Sequence, residues 1–160
     1  MKPESYSRSQ IALHWGIAAL LIVSFFSHEA MKEGWRAFLK GQEPSSFGVP
    51  IHVSTGIAIL VLVLFRLALR WRRGVPALPE GGNPILDRVA GLTHWALYGL
   101  LILIPVSGLA TWFGGIKDAG EVHEVLFNMA FVLVALHTAA ALFHQYVLKD
   151  GLIRRITRAG

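Results

Sequence analysis

Four blocks of apolar residues, roughly 11–28, 51–71, 89–113 and 122–148, constrain this 160-residue chain more than anything else in it. A helix rises about 1.5 Å per residue, so each block is long enough to cross a hydrocarbon core about 30 Å thick. Within lipid, a helix satisfies its own backbone polar groups. Hydrophobic residues make up 54% of the chain and charged ones only 16%, and the stretches between the blocks are too short for a separate soluble domain. The expected fold is all-α: a single four-helix transmembrane bundle over residues 1–160, running up-down-up-down. The first block has no small-x-small cleavage site and leads into His28-Glu29-Ala30-Met31-Lys32, so it reads as a span of the mature chain rather than a signal peptide.

The net charge of +5 sorts by side. With four spans, both termini and the 72–88 loop share one side. That side holds Lys2, Arg8, Arg66, Arg70, Arg72, Arg73, Arg88, Lys149, Arg154, Arg155 and Arg158. The other side holds Lys32, Arg36, Lys40 and Lys117 against Glu29, Glu33, Glu43, Asp118, Glu121 and Glu124, a net −2. The cation-rich side is expected in the cytoplasm, with both termini. Charge distributed in this way indicates a membrane and its lipid, and no nucleic acid. Breakers mark the connections: Gly41, Pro44, Gly48 and Pro50 in an outer loop over 29–50, where Trp35 and Phe38 are expected along the interface, and Pro76, Pro79, Gly81, Gly82 and Pro84 in the basic inner loop. The turn over 114–121 is short, and Lys149-Asp150-Gly151 stops the last span. Ser7 or Ser9 is the expected cap of the first helix.

Seven histidines in so apolar a chain need a use. His123 and His137 are fourteen residues apart on the last span, which brings a helix back to within about 40° of its start and about 21 Å along its axis. One helix face therefore offers an imidazole near each side of the bilayer. By depth, His14, His94, His137 and His144 fall on the inner side, and His28, His52 and His123 on the outer side. Two imidazoles from opposing helices can clamp an iron from both faces of a porphyrin, and two such clamps make an electron path across the membrane. A closed zinc site needs four ligands about one ion, which ligands split between two depths do not give. The chain has no cysteine, so haem would be held non-covalently. Gly56, one turn from His52, leaves room for a planar macrocycle or for the close approach of a neighbouring helix. Arg66, fourteen residues after His52 on the same face, is placed for a haem propionate or to snorkel. His144, two turns beyond His137, is a candidate to hydrogen-bond a quinone carbonyl and help supply a proton, with His94 and Trp95 as further candidates for that pocket.

Several stretches together resemble the prokaryotic cytochrome b561 family, and within it the small four-helix members related to bacterial superoxide oxidase. They are Ile11-Ala12-Leu13-His14-Trp15, Ile51-His52-Val53-Ser54-Thr55-Gly56-Ile57, Arg66-Leu67-Ala68-Leu69-Arg70, Gly91-Leu92-Thr93-His94 through Pro105-Val106-Ser107-Gly108-Leu109, His123-Glu124, and Leu136-His137 through Phe143-His144. The spacing from His123 to His137, and seven more to His144, is the specific part. The resemblance implies two b haems in the bundle core, electron exchange with ubiquinone and a bacterial inner-membrane location. It assigns His14 with His137 to the inner haem and His52 with His123 to the outer one, so the choice of His52 over His28 comes from the family. The chain departs from the pattern in its short turn between the third and fourth spans and in its net negative outer face.

An iron with two imidazoles has no open position, which leaves outer-sphere electron transfer. Two functions fit. One is an enzyme that takes electrons from periplasmic superoxide and delivers them to ubiquinone. The other is an electron-transfer cytochrome b subunit linking the quinone pool to a periplasmic redox protein. A haem-free structural bundle or transporter is the third and weaker reading.

Overall fold

Helix α1 (Arg8–Leu39) begins at the expected cap. Ser7 Oγ accepts from the Gln10 backbone N–H at 3.3 Å, and Gln10 Oε1 accepts from the Ser7 N–H at 3.0 Å, a reciprocal capping box. The same Gln10 side chain donates from Nε2 to the carbonyl of Gly74 at 3.1 Å, just past the end of α2 (Gly48–Arg73). Arg66 Nη1 donates to the Gln10 carbonyl at 2.7 Å. Gln10 is buried, so the start of α1 and the end of α2 are tied by a polar knot shielded from water.

The computed structural model describes residues 5–43, 47–76 and 84–159; the expected breakers Pro44, Pro79, Gly81 and Gly82 and the cation Lys2 lie outside the described residues. Helix α3 (Pro84–Trp112) opens on a proline, whose missing N–H costs nothing at a helix start. It runs on with Pro105 inside it and ends at Trp112, and the chain then turns at Gly115, whose φ of 67° suits a residue without a Cβ. Helix α4 (Lys117–Phe143) comes at once, so α3 and α4 are antiparallel neighbours. A π-helical turn (His144–Leu148) closes α4, and a short helix α5 (Leu152–Thr157) comes after it. Lys149 and Gly151 both take positive φ, at 54° and 72°, and they turn the chain where the sequence places the stop. Among the described residues there is no strand. Four helices are long and apolar enough to cross a membrane, in the expected order.

The first helix corrects the expected outer loop. Helix α1 does not end at the edge of its apolar block; it continues to Leu39. Residues 29–39 carry good helix formers and only one glycine, Gly34, so the propensity persists after the hydropathy ends. Trp35 and Phe38 stack on each other at 5.4 Å and lean on Trp112 of α3 at 6.3 and 5.8 Å, and Phe38 remains 48% exposed.

Close packing runs α1 on α2, α2 on α3 and α3 on α4. The buried core joins Ile17, Ile59, Val63 and Tyr98, from the first three helices alone. Helix α4 buries only Ala130. It meets α1 through long side chains: Phe25 stacks on Phe131 and Phe127, and Lys32 pairs with Glu124 at 2.9 Å. Two ends result. One carries both chain termini, where Trp15 Nε1 donates to the Ile156 carbonyl of α5 at 2.9 Å; the other carries the α1–α2 and α3–α4 connections.

Replacing Gln10 with alanine should remove one half of the capping box and leave the half-buried Gly74 carbonyl without its partner, lowering stability by about 1–3 kcal/mol. Thermal unfolding of the protein in detergent measures it, and a midpoint equal to the wild type would show that the knot holds nothing.

Candidate cofactor sites at the two ends of the bundle

Three imidazoles gather at the end away from the termini. His52 lies in the second turn of α2, His123 in the second turn of α4, and His28 far along α1. The ring centroids of His52 and His123 are 6.3 Å apart at 72°, and those of His28 and His52 are 6.0 Å apart. Separation alone does not choose a pair; the hydrogen bonds differ. His52 Nδ1 faces the Ser24 carbonyl at 3.2 Å and Ser27 Oγ at 3.1 Å. His123 Nδ1 faces the Ile104 carbonyl at 2.7 Å and Ser107 Oγ at 3.4 Å. A carbonyl only accepts, so both Nδ1 atoms carry the proton and both Nε2 atoms keep a lone pair. A metal-ligating histidine is normally held in this way. His28 has no such anchor among the described residues; its ring stacks on Phe127 at 4.7 Å.

The two anchors are built alike. The Ser27 hydroxyl shares its proton between the carbonyls of Val23 at 3.0 Å and Ser24 at 3.1 Å, and Ser107 Oγ donates to the Ile104 carbonyl at 2.9 Å. In each case a serine and the carbonyl three residues before it hold one histidine of the neighbouring helix. The sequence reading missed Ser27 and Ser107. The available signal was a serine deep in an apolar block, where its hydroxyl needs a partner.

These side chains border a cavity of about 380 Å³ lined by Gly56, Ile57, Pro105, Gly108 and Leu109, with Lys32, Lys117, Glu121 and Glu124 also on its wall. The donor set fits haem iron. An imidazole nitrogen lies about 2.0–2.1 Å from a bound first-row metal and roughly 1.1 Å from its own ring centre, so two rings across one ion stand about 6.2 Å apart. A Cβ on Gly56 would meet nothing within 4 Å, so that wall is open beside His52. A Cβ on Gly108 would lie 3.0 Å from His123 Nδ1 and Cε1, so this glycine admits the imidazole to the face of α3.

At the terminal end, His14, His94 and His137 lie close enough to interact electrostatically, with Arg66 beside them. His94 and His137 are edge to face at 5.1 Å, short for an ion between the rings. His94 Nδ1 is bonded to Ala90 of its own helix at 2.7 Å. Arg66 spends one N–H on Gln10, and a guanidinium has five, so donors remain for an anion. Trp95 is covered by Arg70, whose guanidinium carbon lies 5.3 Å from the ring centre. His144 stands apart from this group in the π-helical turn, its Nδ1 paired with the Asp150 carboxylate. The adjacent Gln145 keeps a buried Oε1 without a partner among the described residues.

Gly56→Ala and Gly108→Ala should separate the two walls. The first has space for its methyl, so it should leave the unfolding midpoint of the haem-free chain unchanged, and a haem seated in this cavity would be bound less fully. The second must displace the His123 ring by a few tenths of an ångström and loosen its carbonyl bond, shifting the spectrum of that haem. Haem titration and melting of both variants check this; full occupancy in Gly56→Ala would place the macrocycle elsewhere.

Three relatives align with this chain over nearly their whole length. The chain is 40% identical over 153 residues to a protein of Cereibacter sphaeroides named cytochrome b562, covering 96% of this chain and 95% of the relative. It is 33% identical over 177 residues to the probable superoxide oxidase CybB of Yersinia pestis, covering 96% of each. It is 27% identical over 172 residues to cytochrome b561 homolog 1 of Escherichia coli K12, covering 94% of this chain and 96% of the relative. The family profile described as prokaryotic cytochrome b561 matches residues 5–159. With four membrane-length helices and imidazoles gathered at both ends, this haem-binding electron-transfer protein of the membrane belongs to the prokaryotic cytochrome b561 family.

Proposed function

We propose that the protein moves electrons from periplasmic superoxide across the inner membrane to ubiquinone, through two b haems, with both termini in the cytoplasm. The observation that carries this reading is the pair of carbonyl-anchored imidazoles, His52 and His123, beside a cavity with lysines on its wall. A second level of histidines lies at the opposite end. Haem b held between paired imidazoles supplies one-electron chemistry without an open coordination position.

The chain's own residues do the rest. His52 and His123 present Nε2 lone pairs at the outer level, and His14 and His137 are the ligands at the inner level. Ser27 and Ser107 keep the outer rings from rotating. Arg66, with donors to spare beyond Gln10, neutralises a propionate near His14. Gly56 leaves the macrocycle its place. At the cytoplasmic mouth His144 offers a hydrogen bond and a proton to the quinone carbonyl; His94 and Trp95, set apart from it, are the further candidates for contact with the quinone. The relative named as a probable superoxide oxidase supports the choice of donor.

The alternative is a cytochrome b subunit that links the quinone pool to a periplasmic redox protein. The outer charges favour it: Lys32 is paired with Glu124, and this end sums to −2. A negative face repels superoxide, and a flat one suits a docked protein.

Single substitutions test the ligands. His14→Ala or His137→Ala should cut haem content from two to about one per chain and spare the outer haem; His52→Ala or His123→Ala should spare the inner one; His28→Ala should spare both. Pyridine haemochrome assays and reduced-minus-oxidised spectra read the result. Loss of the outer haem in His28→Ala with retention in His52→Ala would overturn the pairing.

Pulsed superoxide tests the donor. Haem reduction steered by Lys117 and Arg36 should slow as salt rises, because the screening length falls from about 10 Å at 0.1 M to about 3 Å at 1 M. Slow reduction indifferent to salt and to Lys117→Glu would favour the electron-transfer subunit.

A further inference from the structure

The π-helical turn and residues 149–152 form a small device that the electron path does not explain. His144 Nδ1 is paired with Asp150 Oδ2. The other carboxylate oxygen, Oδ1, accepts from the Leu152 N–H at 3.1 Å at the start of α5. The Asp150 N–H returns to the His144 carbonyl at 3.4 Å. Lys149 and Gly151, both at positive φ, fold the chain back so that residue 150 meets residue 144. Each carboxylate oxygen therefore has one partner, and the imidazole is held by its Nδ1 edge. Both side chains are about a quarter exposed, with 27% of His144 and 24% of Asp150 accessible. Helix geometry is widened over His144–Leu148, and π turns of this kind recur at functional sites.

We propose that Asp150 is the positioning residue of the quinone site, holding His144 in the form that can give a proton from Nε2. The proposal rests on the reading of His144 as the quinone-facing residue. Reduction of a quinone to a quinol takes two electrons and two protons. A haem held at the inner level would supply the electrons one at a time. A proton passes from Nε2 of the His144 imidazolium to a quinone oxygen, and the N–H bond breaks as the O–H bond forms. The ring is left neutral with its proton on Nδ1, facing Asp150. Water on the cytoplasmic side then returns a proton to Nε2 before the second transfer. A carboxylate suits both forms of the ring, because both carry a hydrogen on Nδ1. Burial works to raise the Asp150 carboxyl, but the hydrogen bonds from His144 and from Leu152 outweigh it and hold the group below the usual carboxylate range, so it stays an acceptor.

Asparagine at 150 inverts the arrangement. Its one oxygen is retained by the Leu152 N–H, so its NH2 faces Nδ1 and demands a lone pair there. The neutral ring must then carry its proton on Nε2, and the doubly protonated form meets hydrogen against hydrogen. Quinone can still accept a hydrogen bond, but it loses the proton donor.

The test uses the haem-loaded protein in lipid nanodiscs with 15N-labelled histidine, reduced so that the irons are low-spin and diamagnetic. The His144 signal is assigned by its absence in His144→Ala. Asp150→Asn should keep both haems, move the His144 tautomer from Nδ1–H to Nε2–H, and lower kcat for a short-chain ubiquinone at least tenfold with KM within twofold. Asp150→Glu should restore the tautomer and most of kcat. If Asp150→Asn loses haem, Asp150→Ser serves instead: it keeps a cap for Leu152, frees Nδ1, and should lower kcat in the same way. An unchanged tautomer, or a changed tautomer with unchanged kcat, overturns the proposal. Unchanged quinone turnover in His144→Ala overturns the quinone reading itself, whatever Asp150 does to the ring.

Discussion

Hydrocarbon offers a polar group no hydrogen bond, so each one within the spans must find its partner in the protein. An unpaired donor buried there costs several kcal/mol. This constraint decides how the histidines stand. His52 and His123 each give the Nδ1 proton to a carbonyl of the adjacent helix, and a serine hydroxyl supports the same carbonyl. Once Nδ1 is committed, Nε2 is the only nitrogen left for a metal. Solvation of the ring and its preparation as a ligand are the same act.

The packing reflects the need to keep those nitrogens free. A bundle closed on all four sides would bury the imidazoles against aliphatic side chains. Here the buried core belongs to α1, α2 and α3, and α4 is carried by α3. Helix α4 approaches α1 through aromatic rings and one ion pair, contacts between long side chains that leave the backbones apart. The space so preserved is where His123 and His137 face the other helices. Gly108 plays the opposite part: it brings His123 close enough to α3 to reach the Ile104 carbonyl. Spacing along α4 and closeness to α3 are therefore separate requirements, one met by the fourteen-residue interval and the other by a missing side chain.

Much of this was legible because it depends on periodicity and depth. The four spans, the Ser7 cap, the short α3–α4 turn and the stop at Lys149–Gly151 all arise from local pattern. The placement of four histidines toward one end and three toward the other comes from helix rise alone. Contacts across helices were not legible. Nothing local distinguishes Ser27 and Ser107 from serines bonded only to their own helix, and nothing in the Gly108 neighbourhood announces an imidazole. The extension of α1 to Leu39 was hidden because hydropathy ends before helix propensity does. Asp150 looked like a turn residue, which it is; its second oxygen reaches a side chain six residues back because two neighbours adopt positive φ.

The two ends also differ in how they hold polar groups, and that difference bears on what each can exchange. At the outer end, both anchored imidazoles rest on backbone carbonyls, which cannot gain or lose a proton. That end suits transfer of an electron alone. At the terminal end, Gln10, Arg66 and Trp15 likewise donate to backbone carbonyls, of Gly74, Gln10 and Ile156, and His144 with Asp150 is the side-chain pair. Among these the His144–Asp150 pair is titratable and reached by water. A quinone needs protons matched to its electrons, whereas oxidation of superoxide releases only oxygen and an electron. On the proposed function, the His144–Asp150 pair lies at the end where a quinone would draw its protons, and the anchored imidazoles of the opposite end rest on carbonyls that have none to give.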